Sequence, residues 1–285
     1  MTIKYYGATP PPIKMTTSKV VVDLVPHLSS MTISRTMSEV SELVVSVDDP
    51  GYAMVRKYGL PLGAKVRTME LDYVVDSLDL DAGGGAGGFT LNCRSSKVRA
   101  LKKRRGAFVM NKVSPTQWVR HEVKAVGGKF VGQPSAQRAR VARQVTSNTD
   151  DEKPSTWTTI RSLAEELGFI FYEDNNTFYF GKPSWLVKHV GRAKIDYRNE
   201  DTSKRPTTLP KLSASLDEPD ATEYSFSMGV EHAVDLVPGL RVDLTSFPAR
   251  NGTYLLSGLD HPIYGSASDV SLTLTLPIDP EVVKA

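Results

Sequence analysis

The sequence predicts a mainly β chain with an α+β insert, in which two β-rich regions flank a small helix-and-hairpin unit. Three observations lead there. Long stretches towards both ends alternate apolar with polar residues, the period-two pattern of strands with one face buried. Turn dipeptides such as Pro238-Gly239 and Asn251-Gly252 punctuate the later stretches. In the middle, "STWTTIRSLAEELGFIFYEDNNTFYFGKPSWL", Ser155 to Leu186, reads as a helix and then two short strands joined by a polar turn.

The first β-rich region covers residues 1–113. In "KVVVDLVPHLSSMTISRTMSEVSELVVSVDD" the alternation places Met31, Ile33 and Arg35 on one strand face. "DDPG", Asp48 to Gly51, is a turn signal. "GAKVRTMELDYVVDSLDLD" resumes the alternation with one shift of phase, which predicts a bulge or bend near Thr68. "AGGGAGG", Ala82 to Gly88, lacks the Lys-Ser/Thr pair and following helix of a phosphate cradle, so it reads as a mobile hairpin tip. Gly84 and Gly85 at its centre are candidates for contact with a neighbouring protein. From Arg94 to Lys112 the chain is basic, with no acidic residue. Only Phe108 is available there for base stacking, so a protein partner or solvent fits better than nucleic acid. Lys102, Lys103, Arg104 and Arg105 are the candidates to meet an acidic partner surface.

The insert, residues 114–190, opens on "SPTQWV". Ser114 suits an N-cap, Pro115 the first helical position, and Gln117 completes a capping box. Val119, Val123 and Val126 recur at helical spacing and Gly127-Gly128 ends the run. Residues 129–154 are polar and highly charged, which predicts an exposed connector or a partly disordered loop. Ser155 caps the next helix, whose apolar face holds Trp157, Ile160, Leu163, Ala164 and Leu167 before Gly168 stops it. "FIFYE" and "TFYF" form a hairpin across Asp174-Asn175-Asn176, a trio that tolerates left-handed backbone. The six aromatics of this hairpin read as the core of a small α+β unit. Residues 191–285 return to strand-length pieces: "KLSASLDE", "EYSFSMGV", "GLRVDLTSF", "GTYLLSGLDHPI" and "DVSLTLTLP", with "PIDPEVVKA" as an exposed end.

Composition sets limits on function. Charged residues make up 24% of the chain and the net charge of +3 is too weak to imply nucleic acid or a membrane surface. Cys93 is the only cysteine, which excludes an intrachain disulfide and fits a reducing cytoplasm. No apolar run reaches the roughly 20 residues a membrane helix needs, and the first residues do not read as a signal peptide. No two histidines stand at the spacing of a helical metal pair, no nucleophile elbow or phosphate loop occurs, and no cofactor is implied. Glu165-Glu166 reads as a solvated helix face, and His261, in "DHPIY", as a turn histidine bonded to backbone. The chain is not expected to be an enzyme.

Three features together resemble the tail hub proteins of bacteriophages and related contractile injection systems, including the late-control D proteins. The Ser155–Leu186 segment is similar to their Ser/Trp-initiated helix ending "LA…LG", aromatic strand, short acidic turn and "TLYFG"-like strand. "LVPGLRVDLTSFPARNGTYLLSGLDHPIYGSASDVSLTLTL" resembles their closing barrel, and the order of parts is the same. Within its 285 residues the chain carries no lysozyme-like or needle domain.

The resemblance implies two tube-like β-barrel domains, at 1–113 and 191–285, around the insert at 114–190. It implies a homotrimer whose barrels imitate sixfold symmetry, joining a hexameric tail tube or distal tail protein to a threefold spike or fibre. DNA would pass through the lumen without specific binding. The location implied is the virion's tail tip or baseplate, after synthesis in the bacterial cytoplasm. Two other functions fit the composition: a tail-tip cell-wall hydrolase, and a carbohydrate- or receptor-binding β protein.

Overall fold

Hairpins with two-residue turns organise much of the chain, and their sequences explain them. β5 (Lys65–Thr68) and β6 (Leu71–Asp81) pair across Met69 and Glu70, both with positive φ. The expected bend near Thr68 is therefore a full reversal of direction, and the phase shift in the pattern is the turn itself. β11 (Ile170–Asp174) and β12 (Thr177–Gly181) pair across Asn175 and Asn176, at φ 49° and 62°, as their asparagines predict. The computed structural model describes residues 6–7, 9–18, 20–38, 40–59, 62–81, 87–143, 154–213, 223–248 and 251–275. Gly84, Gly85, the connector residues 144–153 and the end from 276 lie outside them.

The chain is mainly β. In its first part β1 (Ile13–Thr16), β2 (Val21–Asp23), β3 (Leu28–Thr36) and β4 (Glu42–Asp48) precede the short helix α1 (Ala53–Tyr58). β5, β6 and β7 (Gly88–Ser95) follow. Antiparallel pairing gives the order β3-β4-β7-β6-β5-β1-β2. Inward residues of every strand fill one core with Met31, Ile33, Leu43, Val45, Val66, Val75, Leu91 and Cys93. Cys93 is fully buried, and burial pushes its thiol up to about 12, so it stays a protonated packing residue.

The middle part holds α2 (Ser96–Lys103), β8 (Phe108–Val113), α3 (Pro115–Ala125), β9 (Lys129–Gly132) and β10 (Arg138–Arg143). α4 (Thr156–Leu167), β11, β12 and α5 (Pro183–Val190) complete it. Both predicted capping arrangements are present. Ser114 accepts from Gln117 N while Gln117 returns to Ser114 N, and Ser155 accepts from Thr158 N. Gly168 closes α4 at φ 62°. Trp118, Trp157, Ile160, Phe171, Phe178 and Phe180 share a core with Val98 and Leu101 of α2.

The polar stretch after Gly128 departs from the expected connector. β9 pairs in parallel with β12, and β10 pairs with β8 in a separate two-stranded sheet. Each adds apolar side chains to the insert's core, Phe130 from β9 and Val141 from β10, while most neighbouring side chains face solvent.

The last part comprises β13 (Arg192–Asp196), β14 (Lys211–Ser213), β15 (Glu223–Gly229), α6 (Val230–Ala233), β16 (Arg241–Thr245), β17 (Gly252–Tyr264) and β18 (Asp269–Thr275). They enclose a second core around Tyr224, Phe226, Leu244, Phe247, Tyr254 and Leu272. β17 belongs to both β parts. Its first half pairs with β16 and β18, and His261–Tyr264 then pair with β3. One continuous 13-stranded sheet results, and Ile263 ends up in the first core. Tyr6 N, from the start of the chain, donates to Ile263 O at 2.9 Å beside a bridge from Gly7 to Tyr264.

Candidate functional site

Among the described residues no group of three His, Cys, Asp or Glu is placed to hold a metal ion.

The main joint is polar and buried. Arg35 lies on the inward face of β3 with Met31 and Ile33, in the phase the sequence gives it. Its Nε and Nη2 donate to the two carboxylate oxygens of Asp174, each at 2.6 Å, and Nη1 donates to Leu236 O at 2.9 Å. The pair is 2% and 5% exposed. One guanidinium thus holds together β3, the tip of the β11–β12 hairpin and the segment before β16. Around it, Ser41 Oγ donates to Glu173 O at 2.9 Å, and Tyr172 Oη donates to Pro238 O at 3.0 Å. Gly239 permits the latter: at φ 86° it packs where a Cβ would collide with the Tyr172 hydroxyl. Met37, Tyr172, Leu186, Val187 and Leu255 form an apolar cluster beside the joint, adding about 1.5–3 kcal/mol for each large aliphatic side chain buried.

Two titratable groups complete the joint. Glu173 is 2% exposed. Its Oε1 accepts from Asn176 N at 2.6 Å, while Oε2 has no hydrogen-bond partner among the described residues and lies beside a cavity of about 10 Å³, room for one water. Burial, reinforced by the charge of Asp174, pushes the Glu173 carboxyl up to about 8. His261 is not in a turn. It sits in β17, 1% exposed, with neither ring nitrogen hydrogen-bonded. Burial, and then the Arg35 charge, brings it down to about 4, so it is neutral near pH 7. Where β3 and β18 diverge on either side of β17, an open groove of about 520 Å³ is lined by Met37, Glu223, Ser257, Asp260 and Thr273.

The basic candidates have unequal positions. The run from Ser96 to Lys103 is helix α2, which buries Val98 and Leu101; of its cations Lys97, Arg99 and Lys102 are half-buried and Lys103 is exposed. Lys102 and Lys103 fall in the last turn, where cations suit the helix's negative end. Lys103 and Arg105 are exposed and Lys102 half-buried. Arg104 is committed inside the protein: its Nε donates to Glu122 Oε2 at 2.9 Å, and Glu122 is fully buried in α3. The carbonyl of Arg104 also accepts from Thr156 N and Oγ1. Sequence reasoning treated the four residues as one patch and missed the Arg35 joint. The available signal was Arg35 itself, an arginine in the buried phase of an apolar strand.

No family model and no curated relative matches the sequence. Solved structures do match its fold. The 43 kDa tail protein of prophage MuSo2 from Shewanella oneidensis superposes with a TM-score of 0.63 at 10% identity, over 96% of this chain and 98% of that one. The tail protein from Neisseria meningitidis MC58 gives 0.63 at 9% identity, over 95% and 97%. The E. coli c3393 protein, a component of the type VI secretion system with structural similarity to the T4 tail proteins gp27 and gp5, gives 0.61 at 11% identity, over 93% and 76%. At these identities the fold is what is shared: a mainly β chain with a few helices, the class the sequence predicts.

Proposed function

We propose that the chain is a structural hub at the distal end of a phage-type tail, working through binding surfaces and not through catalysis. The observation that carries this is a fold shared almost end to end with tail proteins, in which two β cores are built into one sheet by a single strand. In the proposed assembly three chains form a homotrimer, and their six β units match a hexameric tube or distal tail protein on one side. The true threefold axis matches a spike or fibre on the other, and DNA passes through the lumen without specific contacts. Closing such a ring gives the terminal strands partners. β2 and β14 stand at the two ends of the main sheet path, and Val21, Leu209 and Leu212 expose apolar surface at or beside them. The working division is two tube-like barrels, 1–113 and 191–285, braced by 114–190, with α2 and β8 of the first stretch packing into the brace's core. The proposed location is the virion's tail tip, reached after synthesis in the bacterial cytoplasm.

Light scattering coupled to size exclusion tests the reading. A trimer, alone or with a tube or spike protein, is expected. A monomer that remains monomeric with these partners and degrades cell wall would overturn it in favour of a hydrolase.

A further inference from the structure

A second concavity, of about 460 Å³, lies on the insert, away from the Arg35 joint. Ser114, Gln117 and Arg120 line it from the cap and exposed side of α3, Lys112 from the end of β8, and Ser135 and Gln137 from the chain between β9 and β10. The lining is chiefly hydroxyl, amide and cation. Both cations are exposed, and neither forms an ion pair with a carboxylate among the described residues. Contacts fix the Arg120 side chain and the backbone at Lys112. Arg120 lies over the Phe130 ring at 5.6 Å. Lys112 has a left-handed backbone, φ 50°, and its carbonyl accepts from Gln137 Nε2 at 2.6 Å. Thr116 fastens the opposite wall, donating from Oγ1 to Gln133 O at 2.6 Å and from N to Ser135 Oγ at 3.1 Å.

We infer that this pocket binds an oxyanion, a phosphate or carboxylate, carried on a hydroxylated body. The guanidinium fork suits bidentate contact with two oxygens and the ammonium supplies a second point charge. Two cations lining one concavity raise the positive potential there, which favours an anion. The amides at the start of α3 are already used, Thr116 N by Ser135 and Gln117 N by Ser114, so the side chains make the site and the helix end does not. The volume lies in the range of small-molecule sites and exceeds a lone oxyanion, leaving room for a hydroxylated body against the Ser114, Gln117 and Gln137 side chains. A nucleic-acid strand fits less well, because no aromatic ring lines the pocket and the nearby Phe130 face is covered by Arg120.

Calorimetric titration of the full-length chain at low salt tests this with three probes on one sugar body: glucose 6-phosphate, glucuronate and glucose. At least one charged sugar is expected to bind saturably, with Kd on the order of 1 mM, and glucose is not. Which charged sugar binds tighter tells phosphate from carboxylate. The K112Q/R120Q variant is expected to bind the preferred sugar at least about tenfold more weakly, with R120K intermediate, because the Coulombic part needs both charges. Both side chains are exposed, so the thermal midpoint serves as the check on folding. Glucose binding as tightly as the charged sugars, no saturable binding of either, or undiminished binding by a folded K112Q/R120Q variant would each overturn the assignment.

Discussion

Replacing Glu173 with Gln gives a sharp test of the buried joint. The amide oxygen of Gln retains the bond from Asn176 N, and the variant removes only the ionisation. Burial raises the Glu173 carboxyl to about 8 in the folded chain, from the ordinary 4.5 that it has when unfolded. The folded state therefore holds the proton more tightly. This contribution to stability is complete below pH 4.5, declines between the two values, and is lost as pH rises through about 8. From pH 4.5 to 7 the decline amounts to about 3 kcal/mol as a ceiling, since a water beside Oε2 would ease the burial of the charge. Urea unfolding at several pH values, with wild type and E173Q in parallel, measures it. His261 titrates in both proteins and has the opposite sign: its folded value is depressed, so its contribution is lost as pH falls towards about 4. Subtracting the two curves removes it. The variant should gain on wild type as pH rises, and a difference flat to within about 0.5 kcal/mol would refute the argument that burial keeps Glu173 protonated.

Arg35→Met should cost about 3–5 kcal/mol, because Asp174 stays buried without a cation, and the R35M/D174L pair should recover most of it in the urea midpoint. Gly239→Ala combines a positive φ with collision against the Tyr172 hydroxyl, and a loss of roughly 2–4 kcal/mol is expected by the same measurement, against almost none for an exposed glycine-free loop position. Ser114→Ala removes one half of the capping box and should cost about 1 kcal/mol, with the loss of amide protection confined to the first turn of α3. Reversing Lys102, Lys103 and Arg105 to Glu, with Arg104 kept for Glu122, should block tail assembly; assembly at the wild-type level by a variant that still unfolds in one cooperative thermal transition removes the proposal that these cations meet an acidic partner.

Elements closed by short-range chemistry were legible in the residues. The capping box at Ser114, the stop at Gly168 and the asparagine turn after Asp174 each need only neighbours in the chain. What escaped depends on partners far away. β9 and β10 sit in a polar, charged stretch and become strands because β12 and β8 receive them. α2 was hidden by its cations, although Val98 and Leu101 stand at helical spacing. β13 is fixed by parallel pairing with β16, to which no local pattern points. The joint was the least visible part, because the partners of Arg35 come from positions 139 and 201 residues away.

The passage of β17 from one core into the other also orders events at the ribosome. β3 is made before the strand that pairs with its Met31–Ile33 stretch, with β4 to β16 between them. A nascent chain halted before Gly252 lacks that pairing and lacks Ile263 in the first core, so the first core is completed only once β17 has emerged.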